Sequence, residues 1–147
     1  MTEPRITETK LEFPYSRTLG PVMGGFFMAL RDGQLMGIRA KDGRVITPPL
    51  EYDPDTGAAL GSQLVPVGPG GTVESWTWVS EPSPKHPLDR PFAFALVKPD
   101  GSDTSMVAAV DAGSVAAMST GMKVKARFRQ EPQGLVTDLE AWEPVKA

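Results

Sequence analysis

Glycine and proline punctuate this chain from end to end, 15 of each in 147 residues. Proline has no main-chain N–H and a fixed φ, so it breaks helix interiors and central strands. Glycine supplies the backbone freedom of tight turns. A chain interrupted this often does not build a helical bundle; it suits many short strands joined by tight turns. The length is that of one ordinary domain with a short appended module. With 40% hydrophobic and 22% charged residues, it can bury a core.

The net charge of -3 works against a nucleic-acid partner. Cysteine is absent, which excludes disulfides, thiolate metal sites and cysteine nucleophiles together. No apolar run approaches the roughly 18 residues of a membrane span. The opening MTEPRITETK is polar and lacks the pattern of a signal peptide. The expectation is a cytoplasmic protein with no membrane contact.

Residues 1–19 read as an extended arm. Leu11, Phe13, Tyr15 and Leu19 recur at strand-like spacing, so the arm is either a loose terminus or a segment that packs on a partner. Residues 21–31 read as a helix: Pro21 suits a first turn, and Val22, Phe26, Ala29 and Leu30 share one face. Gly24 and Gly25 weaken it by about 1 kcal/mol each, so it needs packing. Asp32-Gly33 stops it. Residues 34–47 read as a hairpin turning at Lys41-Asp42-Gly43 and ending at Pro48-Pro49. A second tight turn follows at residues 53–57.

From residue 62 the pattern is all strand. Strands are expected at 71–80, 92–98, 104–110, 123–130 and 135–142. A proline-rich loop fills 81–91, and a helical turn capped by Ser114 fills 115–118. In the first strand, Trp76 and Trp78 fall opposite Val73, Thr77 and Val79. Five strands with a short helix between the third and fourth are the OB arrangement. The expected fold class is mainly β: a five-stranded OB-fold barrel over residues 67–147, preceded by a helix-plus-hairpin module over 20–66.

Chemistry-bearing residues are few. Lys123, Lys125, Arg127 and Arg129 alternate with Val124, Ala126 and Phe128, giving one strand a cationic face. Such a stripe binds an anion, or it is neutralised across the hairpin. If Glu131 lies opposite Gly134, then Arg127 faces Asp138 and Lys125 faces Glu140. Trp76 and Trp78 are either a base-stacking platform or a cover for neighbouring structure. His86, the one histidine, reads as a solvated loop residue. The acidic pairs Asp53/Asp55, Asp100/Asp103 and Glu140/Glu143 lack the apolar frame that raises a carboxyl pKa. No nucleophile, phosphate-loop or metalloprotease motif occurs, so no catalytic residue is assigned.

Several stretches resemble a known family of small bacterial and archaeal proteins, formerly a domain of unknown function. Its members join an N-terminal helix, a rubredoxin-like zinc ribbon and a C-terminal OB-fold. The carriers are Phe26-Phe27 through Arg31-Asp32-Gly33, Gly43-Arg44-Val45-Ile46-Thr47-Pro48-Pro49, Gly71-Thr72-Val73-Glu74-Ser75-Trp76-Thr77, Pro91-Phe92-Ala93-Phe94-Ala95-Leu96-Val97 and Gly121-Met122-Lys123-Val124. The chain departs from the family at the ribbon. Where two paired-cysteine knuckles stand, it has Ala40-Lys41-Asp42-Gly43 and Asp53-Pro54-Asp55-Thr56-Gly57. Structural zinc takes four nitrogen or sulfur ligands, so a metal-free, degenerate ribbon is expected.

The resemblance implies a non-catalytic accessory subunit of a thiolase-like or sterol-carrier-type thiolase, in lipid, steroid or acyl-CoA metabolism. Acyl-CoA is then the implied ligand, and Lys123, Lys125, Arg127 and Arg129 the candidate CoA contacts. Phe13, Tyr15, Phe26, Phe27, Trp76 and Trp78 are the candidate partner or ligand surface. Self-association stays open. The alternative is an OB-fold binder of single-stranded nucleic acid, which the acidic net charge disfavours.

Overall fold

The helix forms where the apolar spacing places it, as α1 (Gly20–Arg31), with proline in its first turn. Val22, Phe26 and Leu30 are buried at the i, i+4, i+8 spacing of one helical face. At its end Gly33 adopts φ 74°; the Gly33 N–H donates to Leu30 O and the Gln34 N–H to Ala29 O. The computed structural model describes residues 2–146. Met1 and Ala147, the outer ends of the expected arm and barrel, lie outside the described residues. Residues 2–19 form an exposed arm without helix or strand.

The helix covers a three-stranded sheet in the order β2-β1-β3, from β1 (Leu35–Arg39), β2 (Val45–Ile46) and β3 (Leu64–Val67). The expected hairpin is its β1–β2 half. The third strand is not expected in that module, and it straddles the expected boundary after residue 66. Gly37 permits the close approach of β1 to β2: a Cβ there would lie 2.7 Å from Thr47 Oγ1 and 2.8 Å from Ile46 O.

The remaining strands are β4 (Gly70–Val79), β5 (Phe92–Pro99), β6 (Met106–Val110), β7 (Lys123–Phe128) and β8 (Leu139–Pro144). They close a barrel in the order β4-β5-β6-β8-β7. Counted one to five, that is 1-2-3-5-4, the OB arrangement, with a 3₁₀ turn at Val115–Ala117 between the third and fourth. Ser114 makes no side-chain cap there; the turn closes through the Ala117 N–H to Ser114 O. Trp142 lies wholly inside, and Gly71 leaves it room: a Cβ on Gly71 would sit 3.0 Å from Trp142 Cζ3.

One bulge resets the expected faces of β4. The register with β5 slips between Val73 and Ser75, an extra residue that reverses the alternation. Trp76 and Trp78 therefore pack on the same barrel core as Val73, not opposite it. Thr77 is exposed on the outer face.

The two parts share one interior. Phe26, Leu30, Leu35, Val45 and Val67 join Val73, Val97, Val110, Val124 and Trp142 in a single buried cluster. Hydrogen bonds stitch β2 to the β5–β6 turn. The Val45 N–H donates to Asp103 Oδ2 at 2.9 Å, and the Asp103 N–H to Val45 O at 2.8 Å. The Thr47 N–H donates to Thr104 Oγ1 at 2.8 Å, and that hydroxyl donates to Thr47 O at 3.0 Å. The ribbon-like sheet thus rests on the barrel through edge-strand bonding as well as apolar burial.

Candidate functional site

The cationic face of β7 is real, but its partners differ from those expected. Val124 and Ala126 are buried, while Lys123 and Lys125 are exposed. Lys125 pairs with Glu143 and Arg127 with Ala141, with a slip before Phe128↔Leu139. The expected pairs, Arg127 with Asp138 and Lys125 with Glu140, do not form. The cause is the 3₁₀ turn at Val136–Asp138, which takes up residues that a simple hairpin would have paired. The Asp138 carboxylate turns inward instead. It accepts the N–H groups of Gln133, Gly134 and Leu135 at 2.8, 2.7 and 3.2 Å. Burial pushes its pKa up, yet these three bonds outweigh that and hold it below the usual carboxylate range.

Arg127 is enclosed by carboxylates. Its Nε donates to Glu140 at 2.6 Å, and its Nη1 reaches Asp111 at 3.0 Å and Glu143 at 2.5 Å. Arg90, from the proline-rich loop, holds Asp111 from the other side. Burial alone would favour deprotonation of Arg127, but the bonds from Glu143, Asp111 and Glu140 override it and raise its pKa. Its charge is spent within the protein. Arg129 is half-buried, and its N–H donates to Asp138 O at 2.8 Å.

Lys123 has a different setting. Its ammonium donates to Thr72 Oγ1 at 2.7 Å. Thr72 pairs with Lys123 on one side and with Lys98 on the other, so Lys98, Thr72 and Lys123 form one row across β5, β4 and β7. Reading along β7 alone misses Lys98, because only the sheet register brings it there.

The two ribbon turns are joined by an arginine. Arg44 Nε reaches Asp42 at 2.6 Å, Nη2 reaches Asp53 at 3.1 Å and Nη1 reaches Asp55 at 2.8 Å. Asp53 is buried and also accepts the Asp55 N–H at 2.9 Å. That bond first, and then Arg44, hold its pKa down against the effect of burial. Asp42 is likewise held low, chiefly by its bond from Arg44. A zinc ion does not fit these residues. Ala40 and Gly43 carry no donor, and a fixed guanidinium already bridges the carboxylates. Among the described residues no cluster of three His, Asp or Glu has metal-binding geometry.

The outer face of β5 and β6 is aliphatic. Leu96 and Val107 are paired across the strands and remain 41% and 67% exposed. Beside them Phe92, Ala109, Ala141 and Leu88 form a small second core beneath the proline-rich loop. His86 belongs to that loop's structure. Its Nδ1 accepts the Ser83 N–H at 2.9 Å, and its ring meets Phe92 and Phe94 edge-on.

The expected partner surface divides. Phe26 is buried at 1% exposure inside the shared core and offers nothing to a partner. Phe27, Trp76 and Trp78 are partly buried against that core. Inward-facing tryptophans do not form a base platform on the barrel's outside. Phe13 and Tyr15 lie bare on the arm, 74% and 79% exposed.

Comparison with known proteins places the barrel. Residues 64–129 match the family described as ChsH2, C-terminal OB-fold domain. The match runs from β3 through β7. Two solved structures share the fold. One is a protein of unknown function from the DUF35 family of Sulfolobus solfataricus, at 20% identity and TM-score 0.58, covering 73% of this chain and 78% of that one. The other is the Ltp2-ChsH2(DUF35) aldolase, at 20% identity and TM-score 0.61, covering 82% of this chain and 91% of that one. No curated protein matches the chain. The family resemblance read from the sequence therefore holds at the barrel, and the chain lacks the ribbon cysteines altogether.

Proposed function

We propose that this chain is a non-catalytic accessory subunit of a thiolase-like acyl-CoA enzyme. The observation that carries the reading is the match of residues 64–129 to the ChsH2 OB-fold domain. A structural neighbour is itself named as an Ltp2-ChsH2(DUF35) aldolase. The site chemistry agrees with a supporting role. Arg127, Arg44, Asp138 and His86 are each committed to internal contacts. In this reading Lys123 and Lys125, with Lys98 beside them, meet the phosphates of CoA, and Arg127 does not. The ribbon-like sheet is a zinc-free docking element, and the pair works on lipid or steroid acyl-CoA in the cytoplasm.

Co-expression with a thiolase-like enzyme from the same source tests the association. A stable complex on gel filtration supports it, and separate elution at micromolar concentration overturns it. Isothermal titration of that complex with CoA tests the contact: K98E and K123E together weaken binding at least tenfold. Unchanged affinity removes the barrel from the CoA site.

A further inference from the structure

Two surfaces of this chain lie uncovered, and each has the form of the other's missing partner. The first is the arm. Leu11, Phe13 and Tyr15 are 79%, 74% and 79% exposed and alternate with Glu12 and Pro14, so an extended backbone puts all three on one face. The second is the cleft where the barrel closes least completely. β6 and β8 run parallel and are paired only at Val110↔Trp142. The Asp111 N–H donates to Trp142 O at 2.8 Å. Main-chain groups point to alternate edges along a strand, so Val107 directs its N–H and C=O to the same side as Asp111, into the cleft. An unpaired strand edge is a template for another strand.

The cleft measures about 140 Å³ and is lined by Val107, Ala109, Phe94, Leu139, Ala141 and Pro87. A cavity of roughly 150 Å³ takes a benzene-sized ring. Leu96, paired with Val107, and Val136, which also lines the cleft, extend its apolar surface, 41% and 53% exposed.

We propose that residues 11–15 of a second copy of this chain add as a strand to the open edge of β6, with Phe13 in the cleft. Pro14 suits such a strand. When Phe13 and Tyr15 turn their main-chain groups toward β6, the missing N–H of Pro14 falls on the outer edge, where no ladder bond is needed. The occupant is a second copy because each chain carries both donor and acceptor, while its own arm stands away from its own cleft with every described residue exposed. Two chains exchanging arms form a closed, two-fold assembly. The 18 described residues of the arm reach about 60 Å when extended, enough to cross between neighbouring barrels. The proposal does not depend on the acyl-CoA reading and uses none of its cations.

Sedimentation equilibrium on the full chain at micromolar concentration reads the result. The expected mass is twice 15.8 kDa for the native chain, and a monomer for both F13S and V107K. Both changes lie at exposed positions, and thermal melts confirm folding. An equimolar mixture of the two variants restores one intact arm–cleft pair, so it associates where each alone does not. A native monomer overturns the proposal, including one whose arm resists protease by folding onto its own cleft. A dimer indifferent to both variants overturns it as well, as does an arm protected only when a thiolase-like partner is added.

Discussion

Replacing Arg127 with methionine isolates the carboxylate cage on the barrel's outer face. Methionine keeps much of the apolar stem, so the loss is mainly the guanidinium. Asp111, with its side chain 11% exposed, loses one of its two arginine partners. A hydrogen bond to a charged group of this kind is worth about 1.5–3 kcal/mol. Glu140 and Glu143, with side chains 40% and 50% exposed, lose pairs that solvent screens, worth about 0.2–1 kcal/mol each. The sum is about 2–5 kcal/mol. For a chain near 150 residues that lowers Tm by roughly 6–15 °C.

The pH dependence has a definite sign. Burial pushes the Asp111 pKa up, but the bonds from Arg90 and Arg127 hold it below the value in the unfolded chain. Its stabilisation is therefore present above the unfolded pKa of about 3.9 and is lost as pH falls through the folded value. The gap between native and R127M proteins should narrow below about pH 4. R127K keeps the charge but not the planar fork, so it should melt between the two. Calorimetric scans of the three proteins at neutral and acid pH check this. A loss under about 1 kcal/mol in R127M, or an R127K indistinguishable from native, would show that the cage is ordinary surface pairing.

Three further outcomes are expected. R44M should raise amide hydrogen exchange in the turn at residues 53–57 while leaving β5 and β6 protected; unchanged exchange in that turn would mean packing alone holds the ribbon together. G37A should lower the denaturant midpoint by about 1–3 kcal/mol equivalent, since a methyl group there meets Thr47 Oγ1 and the Ile46 carbonyl; an unchanged midpoint would show that β1 and β2 can part without cost. Protein expressed in zinc-supplemented medium should carry well under one zinc per chain by elemental analysis; a tightly held equivalent would contradict the charge-bridged ribbon.

How legible the fold was depended on the range of the interactions. α1 could be read because its apolar spacing, proline and Asp-Gly stop are all local. The barrel strands could be read for the same reason, each lying between turn residues. The bulge at Glu74 was missed although it leaves a trace, the two successive polar residues Glu74 and Ser75 that break the alternation between Val73 and Trp76. That single residue turned Trp76 and Trp78 inward. The β7–β8 register failed similarly: Asp138 binds main-chain N–H groups within its own turn, which removed residues from the hairpin count. Lys98 and Arg44 were visible as charges but not as members of sites. The first enters through sheet register, the second through the meeting of two turns. Loss of the cysteines showed that a metal bridge was gone, but not that an arginine stands in for it.

The central claim is that this chain completes a partner rather than catalysing alone. The most direct measurement is acyl-CoA turnover by the thiolase-like enzyme with and without this chain, alongside this chain by itself. The account predicts no turnover by the isolated chain and a stable, more active assembly when both are present. Turnover by the isolated chain, or a partner enzyme that neither binds it nor changes its rate, would contradict the account.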